Sequence, residues 1–277
     1  MRFVRWGVAG AEKPGVLDAD GQVRDLSRHI SDLSEDVLGT LDKVPTDDLP
    51  HVDGSPRFGI PVAGVGKFIG IGLNYADHAA EAGMAIPAEP IVFMKATSAL
   101  SGPHDDVRLP RGSVKSDWEV ELGVVIGSRA QYVSEDTALD HVAGYTIVND
   151  VSERAFQTEG TGQWTKGKSC DTFGPVGPWL VTPDELGDPQ DLAMSLTVNG
   201  VQMQQGSTRT MIFTVAQIIS YLSRMMTLHP GDIIATGTPP GVGMGRKPPV
   251  YLKPGDVMEL EIEGLGRQRQ TVRAGER

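Results

Sequence analysis

The stretch SDWEVELGVVIG, Ser116 to Gly127, sets Glu119 and Glu121 inside a run that is otherwise valine, leucine, isoleucine and glycine. Side chains alternate faces along a strand, so Glu119, Glu121, Gly123 and Val125 share one face. Trp118, Val120, Leu122, Val124 and Ile126 share the other, which is wholly apolar and predicts a strand bounding a core. The two carboxylates then lie roughly 6 to 7 Å apart on one side. Like charges on a half-buried face repel and lose solvation unless a cation compensates them or water reaches them. The wet side of an edge strand and a metal site are both open readings, and Gly123 leaves room above the sheet for another group.

The chain contains its own control. MELEIEG, Met258 to Gly264, also alternates Glu259, Glu261 and Glu263 against Met258, Leu260 and Ile262, and Arg267 and Arg269 follow after a short turn. Cross-strand ion pairing on a solvated face accounts for that pattern. After Glu119 and Glu121 the next basic residue along the chain is Arg129. A third acid, Asp150, ends the strand that GYTIVND predicts over Tyr145 to Asn149. Three hard oxygen ligands, with no His-x-His or cysteine pair nearby, favour Mg2+ or Mn2+ over zinc.

Composition narrows the function classes. The 277 residues are 39% hydrophobic and carry a formal charge of −11, which argues against nucleic acid or an anionic membrane as partner, since both require a basic face. An acidic substrate would need a local reversal of that field by a lysine or a bound cation. The single cysteine, Cys170, fits a reducing compartment, and no apolar run approaches a membrane span. The expectation is a soluble, cytoplasmic protein.

Thirty-four glycines and nineteen prolines punctuate short apolar runs and predict many strands and turns. RFVRWGV, KPGVLD and QVRDL read as a small N-terminal meander. Ser31 to Pro61 reads as a short helix and a linker, with a boundary near Gly66 that divides residues 1–66 from 67–277. LTVNGVQM predicts a hairpin turning at Asn199-Gly200. TVAQIISYLSRMM predicts a helix capped by Thr214, whose Val215, Ile218, Ile219, Leu222 and Met226 form a core stripe.

Six blocks occur in the order and spacing of one family: GLNYADHAAE, FMKATSALSGP, DWEVELGVVIG, GYTIVNDVSER, WTKGKSCDTFGPVGP and GDIIATGTPPGVG. Over roughly residues 67 to 265 the chain resembles the fumarylacetoacetate hydrolase family, and its N-terminal part and STRTMIF look like the bacterial branch of 2,4-diketo-3-deoxy-L-rhamnonate and L-fuconate hydrolases. The resemblance implies a mainly β (α+β) protein, a mixed β-sandwich roll with a small N-terminal α/β appendage, working as a homodimer. It implies a divalent metal, Mg2+ or Mn2+, on Glu119, Glu121 and Asp150, and a water-activating pair, His78 and Glu81. Lys168, Gln157, Arg154 and Thr238 correspond to groups on the substrate side. Lys95 can contact substrate or pair with a core carboxylate. Many relatives carry aspartate before MIF where this chain has Thr210, which puts substrate contacts near that loop in doubt.

The residues agree with these roles without dictating them. His78 and Glu81 are three apart and share a helix face, and Gly70, Gly72 and Gly83 would let that segment close as a lid. Taken alone such a pair is more often a surface ion pair than a catalytic one. Lys166 and Lys168 are equivalent by pattern, and only the resemblance selects Lys168. The expected reaction is hydrolysis of the C3–C4 bond of a 2,4-diketo acid to pyruvate and a second acid. Cleavage of an acylpyruvate or fumarylpyruvate, decarboxylation of oxaloacetate, and a non-catalytic metal-dependent binding module are the alternatives.

Overall fold

The computed structural model describes residues 1–275. Along the chain the strands and helices used below are β1 (Arg2–Trp6), β2 (Lys13–Leu17), β3 (Val23–Asp25), β4 (Phe68–Gly72), α1 (Ala76–Ala82) and β5 (Ile91–Lys95). They continue with β6 (Val120–Ile126), β7 (Val142–Asn149), α2 (Arg154–Thr158), α3 (Thr165–Lys168) and β8 (Gly174–Val181). The last are β9 (Ala193–Val198), β10 (Val201–Ser207), α4 (Val215–Met225), β11 (Ile233–Ala235), β12 (Val257–Ile262) and β13 (Gly266–Arg273).

β6 sits in the middle of a large mixed sheet ordered β3-β2-β1-β8-β7-β6-β11-β4-β5, antiparallel on both sides of β6 and parallel where β11 meets β4 and where Leu100–Ser101 pairs with β8. Its apolar face, Trp118 through Ile126, packs into a core shared with Met194, Leu196, Leu260 and Ile262 of the second sheet and with Ile218 and Leu222 of α4. The second sheet runs β10-β9-β12-β13 and ends on Val107–Arg108. The strands thus form packed sheets, with alternation in each strand feeding the shared core.

On the far side of the large sheet, Val125, Val148, Val176 and Ile233 meet a second core built from the N-terminal part. Ser31 to Pro61 does hold a helix, Glu35–Leu38, and a 3-10 turn, Leu41–Lys43. It is more than a linker, since Leu33, Leu38, Leu41, Val44 and Leu49 are buried against the sheet. Strands β1–β3 extend the same sheet through the β1–β8 pairing. Both faces of β6 are therefore covered, and an edge-strand reading of Glu119 and Glu121 fails.

Local expectations are met for identifiable reasons. Asn199 and Gly200 adopt φ of 52° and 75°, the left-handed pair that a two-residue hairpin between β9 and β10 needs. Thr214 and Gln217 form a reciprocal capping box at the start of α4. Glu259 and Glu261 stand opposite Arg269 and Arg267, with ion pairs at 3.6 and 3.0 Å on an exposed face. Gly123 serves packing instead of ligand access, because a Cβ there would lie 2.7 Å from Val148 Cγ2 and 3.0 Å from Thr146 Cγ2.

Candidate active site

The register of β6 against β7 brings the acids together. Glu121 pairs with Val148 and Val120 with Asn149, and one step further the Asp150 amide donates to the Glu119 carbonyl at 2.9 Å. Asp150 therefore stands across from Glu119 and on the same face as Glu121. One carboxylate oxygen from each of the three lies within 4.8 Å of the others, and all three side chains are buried.

Three cations surround this cluster. Lys168 Nζ bridges Glu119 Oε2 and Asp150 Oδ2, both at 2.5 Å. Lys95 Nζ donates to Asp150 Oδ1 at 2.5 Å and to the Val151 carbonyl at 3.2 Å. Arg154 Nη2 reaches Glu119 Oε1 at 2.6 Å, and its Nε reaches Asp117 Oδ2 at 2.9 Å. Burial would raise the Glu119 carboxyl, but Arg154 and Lys168 outweigh it and hold the group well below the usual carboxylate range. Burial likewise disfavours the Lys168 ammonium, and Asp150 and Glu119 overcome it, so Lys168 is held protonated. For Lys95 burial dominates and pulls the group down despite Asp150.

Glu121 is the exception. Its partner is the Gly237 amide, which donates to Oε2 at 2.8 Å, and among the described residues it has no ion pair. Burial and the charges of Asp150 and Glu119 push it well above the usual carboxylate range. Four carboxylates, counting Asp117, face three cations, so with all four ionised one negative charge has no counter-ion, and Glu121 is the carboxylate that no cation pairs. A hard divalent cation on Glu119, Glu121 and Asp150 answers both the charge and the donor chemistry, so the residues present fit such an ion.

Glu119, Glu121, Arg154, Gln157, Lys168 and Thr238 line a cavity of about 260 Å³ that His78 and Glu81 of α1 also line. His78 Nδ1 lies 3.2 Å from Glu81 Oε2, and that same oxygen accepts from the Gly241 amide at 3.1 Å. Nδ1 faces a carboxylate, which in the neutral ring favours the tautomer with the proton on Nδ1 and the lone pair on Nε2. Gln157 Oε1 accepts from Arg154 Nη1 at 2.9 Å. A guanidinium only donates, so this contact fixes the amide orientation and leaves the NH2 for a ligand.

Other expected site residues have internal duties. The Thr238 hydroxyl donates to the Val120 carbonyl at 2.9 Å and accepts from Gln204 Nε2 at 2.8 Å, so it braces β6. Lys95 lies behind Asp150 and is fully buried. Lys166 is exposed and bonds Thr161, whereas Lys168 is buried, which separates the two lysines. Thr210 donates to both Asp77 oxygens at 3.2 Å and so anchors the first turn of α1. Asp117 escaped the sequence reading. It is fully buried, and besides Arg154 it accepts from the amides of Trp118, Gly243 and Met244 at 2.8, 2.6 and 2.9 Å. Its position directly before the Trp118–Ile126 alternation was the available signal.

With this geometry in hand, comparison with known proteins is decisive. Residues 67–273 match the family model described as fumarylacetoacetate (FAA) hydrolase C-terminal. The chain belongs to the fumarylacetoacetate hydrolase family. A 2,4-didehydro-3-deoxy-L-rhamnonate hydrolase of a Sphingomonas species is 60% identical over 273 residues, covering 98% of this chain and 96% of the relative. The structure of a fumarylacetoacetate hydrolase from psychrophilic Exiguobacterium antarcticum superposes with a TM-score of 0.90 at 39% identity, covering 99% of each chain. A maleylpyruvate hydrolase from a Sphingobium species, solved with manganese(II) and pyruvate, superposes with a TM-score of 0.83 at 29% identity over the whole of both chains. This member of the fumarylacetoacetate hydrolase family is an enzyme, a hydrolase. No helix among its described residues is long and apolar enough to cross a membrane.

Proposed function

We propose that this hydrolase cleaves the C3–C4 bond of a 2,4-diketo-3-deoxy sugar acid, releasing pyruvate and a small hydroxy acid, and that it requires Mg2+ or Mn2+. The observation that carries the reading is the uncompensated Glu121 beside Glu119 and Asp150, on the wall of the cavity that the His78–Glu81 pair also lines. The relative named for a didehydro-deoxy-rhamnonate and the manganese and pyruvate of the maleylpyruvate hydrolase support it. A divalent ion on the three carboxylates would act as a Lewis acid toward the oxygens of a keto acid.

The chain's own groups supply the remainder. His78 Nε2, with Nδ1 held by Glu81, takes a proton from water as the hydroxyl oxygen bonds to C4. The Gln157 NH2 and the Lys168 ammonium stabilise the negative charge that develops on substrate oxygens. The C3–C4 bond breaks, its electron pair remains with the pyruvate half, and the proton held by His78 returns to C3. Water is thereby divided between the two products, an acid at C4 and a methyl group at C3. The resemblance also implies a homodimer, which light scattering of the purified protein tests.

The direct test follows pyruvate release, coupled to lactate dehydrogenase, from 2,4-diketo acids with and without added Mg2+ or Mn2+. Metal-dependent pyruvate release is expected. Metal-independent release, or none from any diketo acid, would contradict the reading.

A further inference from the structure

The cations that line the cavity are already committed to protein groups. Arg154 spends Nε on Asp117, Nη1 on Gln157 and Nη2 on Glu119, and Nη2 also lies 2.9 Å from Asp117 Oδ2. No parallel pair of its N–H groups is left for an incoming carboxylate. Lys168 spends two of its three N–H groups on Glu119 and Asp150 and sits 4.9 Å from the Phe93 ring centre. Lys95 does not line the cavity, and His78 faces Glu81.

Away from the carboxylates the wall turns apolar, with Ile71, Met84, Phe93, Trp164, Val242 and Met244. Gly72 explains how close the indole comes, since a Cβ there would lie 2.3 Å from Trp164 Cζ3. A substrate whose first carboxylate is received at the metal cluster would place its acyl half against this wall. A second carboxylate there would be desolvated without a partner, whereas a methyl or other neutral end would be at home.

We infer that the site takes 2,4-diketo acids with an uncharged acyl half and discriminates against those whose acyl half ends in a second carboxylate. This rests on the diketo-acid reading above and adds to it the class of diketo acids that the site excludes. The charge accounting sets the preference: Asp117 and Glu119 hold Arg154 away from substrate, and the apolar wall offers nothing in its place.

The test compares kcat/KM of the metal-loaded enzyme for acetylpyruvate, for succinylpyruvate, and for the terminal amide of succinylpyruvate, which matches the dianion in length without its charge. Acetylpyruvate and the amide are expected to exceed succinylpyruvate by roughly tenfold or more, the scale of an unpaired charge in a partly desolvated site. The variant Met244→Arg, which offers a cation from a half-exposed position on the wall, is expected to narrow the amide-to-acid ratio. Succinylpyruvate within tenfold of its amide, or an unchanged ratio in the variant, would overturn the inference, as would loss of the amide together with the acid, which would assign the limit to length. Failure to turn over any of the three while a 2,4-diketo-3-deoxy sugar acid still releases pyruvate would overturn the inference alone; no release from any of them, the sugar acid included, would overturn the diketo-acid reading itself.

Discussion

At the scale of single residues, Glu121 is distinguished from its neighbours by what it lacks. Glu119 and Asp150 each hold cations at 2.5 to 2.6 Å, and Glu121 holds one backbone amide. Replacing it with glutamine removes the repulsion while keeping the shape. Glu121→Gln is therefore expected to fold at least as stably as the parent without metal and to lose the metal-induced rise in melting temperature together with turnover, read by thermal melts with and without Mg2+. His78→Ala should keep the metal-induced rise and lose turnover by about 10²- to 10⁴-fold, the usual scale of a general base. Loss of both in the histidine variant would place His78 in the metal site.

Residue identity was readable where alternation was regular. Glu119, Glu121 and Asp150 could be grouped because one strand sets the face and the next strand's end sets the address. The commitments of Lys95 and Arg154 could not be read, because Lys95 meets Asp150 across 55 positions and Arg154 meets Glu119 across 35. The bracing role of Thr238 was equally hidden: it lines the cavity as the resemblance implied, and its hydroxyl is bound by β6 and by Gln204, 34 positions away.

At the scale of elements, close approach positions the site. Gly167 lets α3 lie on α2, since a Cβ there would meet the Glu153 carbonyl at 2.4 Å and the Gln157 Cβ at 2.6 Å. Backbone must shift to admit it, and the shift would carry Lys168 and Gln157 with it. Gly167→Ala is expected to lower kcat more than tenfold while the metal-induced thermal shift persists, because Glu121 and Asp150 sit on other elements. An unaltered kcat would mean α3 can give way without moving Lys168.

The same contacts revise the lid. Gly70 and Gly72 read as hinges in the sequence, yet a Cβ at either would strike the Phe93 or Trp164 ring at 2.2 and 2.3 Å. They are packing glycines at the end of β4, and only Gly83, left-handed at φ 65° after α1, has the open surroundings of a flexible cap.

At the scale of the whole molecule, the N-terminal part is held to the body by charge as well as by sheet. Arg57 donates to Asp105 at 2.5 and 2.8 Å and to Glu12 at 2.9 Å. Burial alone would raise the Asp105 carboxyl, and the Arg57 hydrogen bond together with the Gly102 amide overrides it and lowers the group. A lowered carboxyl contributes stability that is present above its unfolded value near 3.8 and is lost as pH falls through the lower folded value. Asp105→Asn is expected to be about 1 kcal/mol less stable than the parent at neutral pH, with the gap closing below about pH 4 in denaturant melts. A gap that persists in acid would assign the loss to packing.

Net charge also acts at this scale. A chain of −11 repels an anionic substrate, and the site must invert the field locally. With Glu121 ionised, its three cations leave the cluster one charge negative; the divalent ion proposed above would turn it one charge positive and so favour capture of an anionic substrate. The abundance of strands was legible from turn spacing and alternation, while the packing of sheet on sheet was implied by the family resemblance. The burial of Ser31 to Pro61 was not, because its polar and proline-rich composition masks five leucine and valine side chains that reach the sheet from separate turns.

The central claim is that Glu119, Glu121 and Asp150 hold one hard divalent cation. Calorimetric titration of metal-stripped enzyme with Mn2+ or Mg2+ measures this directly. Binding of about one ion per chain in the parent, lost in Glu121→Gln, is the predicted result. Absence of binding in the parent, or undiminished binding in the variant, would contradict it.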